Sequence, residues 1–235
     1  DITLTRAREL AASRQAYWQQ HELDEVKHKV RELLGIPSDS AAPAPVFSDT
    51  VTRQKYEMTG VTLFGNDRFP LPGVLYIPRP SSGRLPVTLL VDDRGKVAET
   101  APGGRIVREL ARNRMVLCLD LRGYGETADS PRENKAKYRN REHRTAMLSL
   151  HIGKPLLGQR VRDIATGVAF LREHDRADKS QVRVIGIGQA GPAALHAAFL
   201  NADIHHVVLR KSIRSWMEVV AAPLAPDQLS VVVPG

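Results

Sequence analysis

The chain has 235 residues, 42% of them apolar and 26% charged with both signs mixed. This is enough apolar material for a sizeable core and excludes an intrinsically disordered chain, and no apolar run approaches the roughly 18 residues of a membrane-spanning helix. Lys and Arg outnumber Asp and Glu 34 to 26, a formal charge of +8, and the sole cysteine excludes an internal disulfide and a multi-cysteine zinc site. Excess positive charge points to nucleic acid only where it clusters on one surface with aromatics. The densest stretch, residues 131–144, carries six Lys/Arg against two Glu with Tyr138 as its only aromatic. It reads as a solvated surface, and nucleic acid is not an expected partner. The first residues lack the charged and apolar regions of a signal peptide.

From Leu4 to Leu34 the pattern is helical, with Leu10, Tyr17, Leu23, Val26, Val30, Leu33 and Leu34 spaced for one face, and Gly35 and Pro37 ending it. Residues 37–45 form a Pro/Ala/Ser linker. The expected organisation is a helical segment over 1–36, the linker, and an α/β domain over 46–235. Strands are predicted at residues 61–64, 74–77, 87–91, 115–119, 182–186 and 207–209. Gly65, Asn66 and Asp67 join the first two into an antiparallel hairpin. The later four are near-continuous apolar runs, which suit strands buried on both faces of a parallel sheet. Helical patterns lie between them: Ile106, Val107 and Leu110; Leu157, Val161, Ile164, Val168 and Leu171; and Ala193, Ala194, Ala197, Ala198 and Leu200. The fold class is therefore α/β, an open and mostly parallel sheet with helices on both faces. Its ligand crevice is expected beyond the strands' carboxyl ends.

Two loops at those ends stand out. Residues 120–127 (DLRGYGET) follow the strand ending at Leu119, where Asp120 and Arg122 could tie a braced turn by a charge-assisted hydrogen bond. Residues 186–191 (GIGQAG) run from a strand into the Ala-rich helix after Pro192, so backbone N–H groups there point at the loop. Read as G-x-G-x-x-G, this turn matches a dinucleotide fingerprint. Arg210 and Lys211, after the next strand, would allow only the NADP version. Read as a strand–turn–helix elbow, it is where a hydrolase places its nucleophile, at position 188.

The ordered set of residues 120–127, residues 156–163 (LLGQRVRD) at the start of a helix, and the glycine turn at 186–191 resembles the α/β-hydrolases of the acetyl xylan esterase and cephalosporin deacetylase type, over roughly residues 50–235. The resemblance implies a serine esterase of acylated carbohydrate, periplasmic or secreted, with an elbow serine, an Asp and a His. In this sequence the family's G-x-S-x-G falls on Gly186, Gly188 and Ala190. The nucleophile position is thus glycine, and no acyl-enzyme can form there. The loop after Val91 reads Asp92-Asp93-Arg94-Gly95-Lys96. Carboxylates pointing into the site would oppose a developing oxyanion, whereas in the alternative they face solvent or cap a helix. Beyond residue 209 there is Asp227 and no histidine, and more sheet is expected to follow.

The reading is an esterase-like domain with no catalytic residue of its own and Gly188 in the nucleophile position. Its candidate crevice comprises Asp92, Asp93, Arg94, Tyr124, Gly188 and Gln189. A carbohydrate or ester is the expected ligand, and a further polypeptide segment or domain completes the sheet. The alternatives are an active hydrolase that uses another nucleophile or residues outside this chain, and NADP binding at 186–191. Neither a cofactor nor a metal is expected. Cys118 reads as packing, His196, His205 and His206 lack a third ligand, and His143 and His151 lie in the insertion over the crevice. Ser149 and Ser212 are stand-in nucleophiles only beside a base. Tyr124 or Trp216 could stack on a sugar, although packing suits Trp216 better.

Overall fold

The structure is a computed structural model that describes residues 2–37, 44–101, 103–129, 142–222 and 231–232. The Lys/Arg-rich stretch lies outside these residues except for its last three, as do most of the Pro/Ala/Ser linker, Tyr138 and Asp227.

Helices α1 (Ile2–Gln20) and α2 (Leu23–Leu33) replace the single helical run expected from Leu4 to Leu34. The break falls at Glu22, whose backbone is extended and whose N–H is accepted by the Glu25 carboxylate three residues on, a local helix-start signal inside a continuous periodicity. Only α2 is anchored in the core, through Val26 and Leu34, whereas α1 buries no residue.

Among the described residues seven strands follow in one sheet: β1 (Ala44–Thr52), β2 (Tyr56–Phe64), β3 (Pro70–Pro78), β4 (Leu85–Asp92), β5 (Met115–Leu119), β6 (Ala177–Ile187) and β7 (His206–Arg210). Their spatial order is β1-β2-β3-β5-β4-β6-β7. The hairpin is β2–β3, antiparallel from Phe64 opposite Pro70 to Tyr56 opposite Pro78. The four later strands pair in parallel, as their apolar runs require. β1 was not expected: exposed along its whole length, it has no buried face to impose alternation, and it takes in Ala44 and Pro45, assigned above to the linker.

Helices cover both faces. α5 (Leu156–Glu173) and α6 (Ala190–Leu200) pack on one side, over Leu89, Leu117, Leu119, Val182 and Val184. The short α3 (Arg105–Ala111) covers Tyr76, Leu90, Val116, Cys118, Ile185 and Ile187 on the other. Each fully buried Leu, Ile or Val contributes about 1.5–3 kcal/mol relative to exposure. The insertion carries α4 (His143–His151), and α7 (Trp216–Ala221) follows β7. Gly186 closes α6 onto β6, since a Cβ there would lie 2.7 Å from that of Ala194. Among the described residues no helix is long and apolar enough to cross a membrane.

Candidate functional site

The carboxyl ends of β4, β5 and β6 bring together the loops singled out in the sequence. β6 ends at Ile187, Gly188 turns the chain with φ of 62°, and Gln189 is the N-cap of α6. Gly188 donates its N–H to the Arg210 carbonyl at 2.9 Å, which fixes the turn against β7. This is the strand–turn–helix geometry of a nucleophile elbow.

Successive residues of an extended strand point to opposite faces, and the two acids at the end of β4 divide accordingly. Asp92, buried, turns to the α3 side. Its carboxylate accepts the Arg94 backbone N–H at 2.9 Å, Nε at 2.9 Å and Nη2 at 2.7 Å. Arg94 also reaches Glu99 at 2.9 Å, and Glu99 accepts the first N–H of α3. Asp93 turns into the elbow. Its Oδ2 accepts the Gln189 backbone N–H at 2.7 Å. A Cβ at position 188 would lie 2.6 Å from the Asp93 carboxyl carbon and still nearer one of its oxygens, so any other residue there must displace that carboxylate and hold a left-handed φ. The Asp93 N–H makes a 3.4 Å contact with the Ile187 carbonyl. Burial raises the Asp93 pKa above its usual value, and the neighbouring Asp92 charge adds to this against the opposing pull of the Gln189 N–H. Asp92 is therefore enclosed, and Asp93, half-buried, engages the start of α6 through the Gln189 N–H.

The expected tie between Asp120 and Arg122 does not form, because these residues also diverge. Asp120 accepts Lys96 Nζ at 2.9 Å, the Lys96 N–H and the Glu126 N–H. Arg122 instead forks onto Asp163 of α5, bonds Gln159 at 2.8 Å and Asp67 of the hairpin turn at 2.9 Å, and lies over the Phe69 ring. Tyr124 is buried with the Arg160 guanidinium 3.8 Å above its ring. Arg160 is itself fully buried, donates to the Arg122 carbonyl at 3.0 Å and pairs with Glu142. The residues at 156–163 thus brace the 120–127 loop from α5. Tyr124 is enclosed and unavailable for stacking, and burial pushes its phenol pKa well up.

Trp216, expected to be packed, is about a third exposed at 37%. Cys118 is wholly buried under α3, which pushes its thiol pKa well up. Ser149 accepts a hydrogen bond from the Gln159 amide, within the bracing network. Among the described residues the Ser212 hydroxyl, buried against Gly191, and the buried Gln189 side-chain oxygen have no hydrogen-bond partner. His205 and His206 are exposed, and His196 bonds the Pro192 carbonyl within its own helix. Among the described residues no three His, Cys, Asp or Glu side chains are grouped to hold a metal. Sequence reasoning named Asp93 but missed its contact with Gly188, because one residue's difference in where β4 ends would reverse the two acids. It also missed Lys96, for which a lysine four residues after a strand-end acid is the only signal.

Comparison of the whole chain with solved structures decides the fold. It superposes on a Bacteroides fragilis protein provisionally assigned as an acetyl xylan esterase with a TM-score of 0.68, at 14% identity over 79% of this chain and 51% of that one. This chain has the α/β-hydrolase fold. A glucuronoyl esterase from Solibacter usitatus matches this hydrolase fold with a TM-score of 0.59, at 14% identity over 81% of this chain and 57% of that one. Acetyl xylan esterase 1 from Thermoanaerobacterium sp. gives 0.55, at 16% identity over 79% and 56%. The chain spans about half the length of these structures. No protein-family model and no curated protein matches its sequence. Within this fold β6, Gly188 and α6 form a tight strand–turn–helix, and β4 leads into the loop beside it.

Proposed function

We propose that this is a carbohydrate-esterase-type α/β-hydrolase domain that does not hydrolyse esters through its elbow and serves instead as a binding or scaffolding part of a longer or multi-chain protein. One observation carries the reading: the Asp93 carboxylate sits on the Gln189 N–H, directly over Gly188. Serine-type acyl transfer needs a nucleophilic oxygen at the elbow and backbone donors free to receive the oxyanion. Here the first is missing, and the donor that follows the elbow position is engaged by an anion of the chain itself. The same carboxylate stands where a pyrophosphate would approach the helix, which disfavours NADP at 186–191. The names of the structural neighbours put forward a carbohydrate or its ester as ligand. Among the described residues β7 is the last strand of the parallel sheet, and its outer edge is where a further strand would complete it.

A second reading, an active hydrolase with a different nucleophile, draws on the unpartnered Ser212 hydroxyl beside the first turn of α6. Fluorophosphonate labelling with peptide mapping, run beside turnover of an acetyl ester, separates the two. The expected result is no label and no inhibitor-sensitive turnover. Stoichiometric label on Ser212 or Ser149, with turnover lost in the corresponding alanine variant, would overturn the non-hydrolytic reading.

A further inference from the structure

Two openings lie away from the elbow, along α5. One cavity of about 580 Å3 is bounded by Arg31 in the last turn of α2, Ile36 and Pro37, Asn66 and Asp67 of the hairpin turn, Lys154 before α5, and Arg162 on α5. It shares Arg31, Arg162 and the hairpin turn with a second cavity of about 510 Å3 that continues along α5 towards α6. Both volumes fall within the range of about 300–1,000 Å3 usual for small-molecule sites.

The charges on this wall are unequally matched. Asp67 is committed to Arg122 at 2.9 Å and to the Phe69 N–H at 3.1 Å, and its distance to Arg162 is 3.8 Å, beyond a hydrogen bond. Glu32 is taken by Lys29 at 2.9 Å. Among the described residues the Lys154 ammonium has no acidic partner. Arg31 donates only to the Leu200 carbonyl, and Arg162 has no hydrogen-bonded carboxylate. Elsewhere around α5 the arginines are matched: Arg122 with Asp163, Arg160 with Glu142, Arg172 with Asp203. Three cations from three parts of the chain thus line one opening, Arg162 in a 3.8 Å ion pair with Asp67, and Arg31 and Lys154 with no carboxylate partner among the described residues. Guanidinium and ammonium groups arranged in this way bind carboxylate and phosphate oxygens.

We infer that the cavity between α2, the β2–β3 turn and the start of α5 binds a small oxyanion, a carboxylate or a phosphate, through Arg31, Lys154 and Arg162. Ile36 and Pro37 supply an apolar wall for the body of such a molecule, and Asp67 an acceptor for its hydroxyl groups. The site is separate from the elbow and holds whether or not esters are hydrolysed there.

Calorimetric titration at low ionic strength tests it, with sodium glucuronate and inorganic phosphate as probes and glucose as the uncharged comparison. Saturable binding of either anion is expected, weakened by added sodium chloride. Saturation by glucuronate alone assigns the carboxylate class, and saturation by phosphate alone assigns phosphate. The double substitution R162Q/K154Q should lower affinity by about tenfold or more, the loss of a charge-assisted hydrogen bond, whereas Arg162→Lys keeps the charge and should stay within about threefold. Amide resonances of the wild-type protein give a measurement free of substitutions: those of Asn66 and Arg162 should shift on titration and that of Gln189 should not. No saturable binding of either anion, equal binding of glucose, affinity unchanged in R162Q/K154Q, or shifts centred on Gln189 would each overturn the inference.

Discussion

Serine placed at position 188 should fail to rebuild an esterase and should destabilise the protein in a way that depends on Asp93. Gly188→Ser puts a Cβ on a residue with φ of 62°, a left-handed conformation that costs a non-glycine residue about 1–2 kcal/mol. The same atom collides with the Asp93 carboxyl group, which must withdraw from the Gln189 N–H and surrender a charge-assisted hydrogen bond of about 1.5–3 kcal/mol. Together these give a loss of about 3–5 kcal/mol. In an Asp93→Ala background only the backbone cost remains. A double-mutant cycle read by urea unfolding should therefore show a coupling of about 1.5–3 kcal/mol between positions 93 and 188. Asp93→Asn is unsuitable as the second substitution because it keeps the shape that collides. A coupling below about 0.5 kcal/mol would show that Asp93 does not occupy the space over Gly188. Efficient acetyl-ester turnover by Gly188→Ser alone would also refute the argument, since the displaced Asp93 carboxylate stays beside the elbow as a charge that opposes the oxyanion.

Because burial raises the Asp93 pKa, the folded state binds a proton there more readily than the unfolded chain, and this group's contribution to stability falls as pH rises through that window. The Asp93→Asn variant should lose that slope, so unfolding free energies measured between about pH 4 and pH 7 should move in its favour with rising pH. A difference that does not vary with pH would contradict the burial of the carboxylate. Arg160→Ala leaves Glu142 and the Arg122 carbonyl without their partner and uncovers Tyr124. A loss of about 3–5 kcal/mol is expected, visible as a melting temperature lower by roughly 10 °C in a calorimetric scan, and a shift under about 2 °C would show that the brace is dispensable. Removal of residues 2–20 should cost less than about 1 kcal/mol in the same scan, because α1 buries nothing and its contacts are peripheral ones such as Trp18 against Phe199; a larger loss would mean that α1 is part of the cooperative unit.

The central strands were legible because their residues had a single physical task. Residues 87–91 and 115–119 are apolar but for Thr88 and show no alternation since both faces of the sheet are covered, and the structure places β4 and β5 there. β1 was illegible for the converse reason: Val46 and Phe47 are 60% and 55% exposed, so neither face left a pattern. The glycine turn at 186–191 could be located by the strand before it and the small-residue helix after it. Which acid entered the turn could not, because Asp92 and Asp93 are chemically identical and only the register of β4 tells them apart. Asp120 and Arg122 show a related limit: two residues apart at a strand end, they found partners 24 and 41 residues away in the chain, on the Lys96 loop and on α5.

Cys118 lies in the middle of β5, wholly covered by α3, in a chain with no other thiol. A thiol reagent added to the native protein therefore has one possible target and must wait for the sheet to open. The rate at which that single group is modified then reports opening at β5 rather than an average over the molecule. The protein carries its own probe of core dynamics, and none of the substitutions discussed above disturbs it.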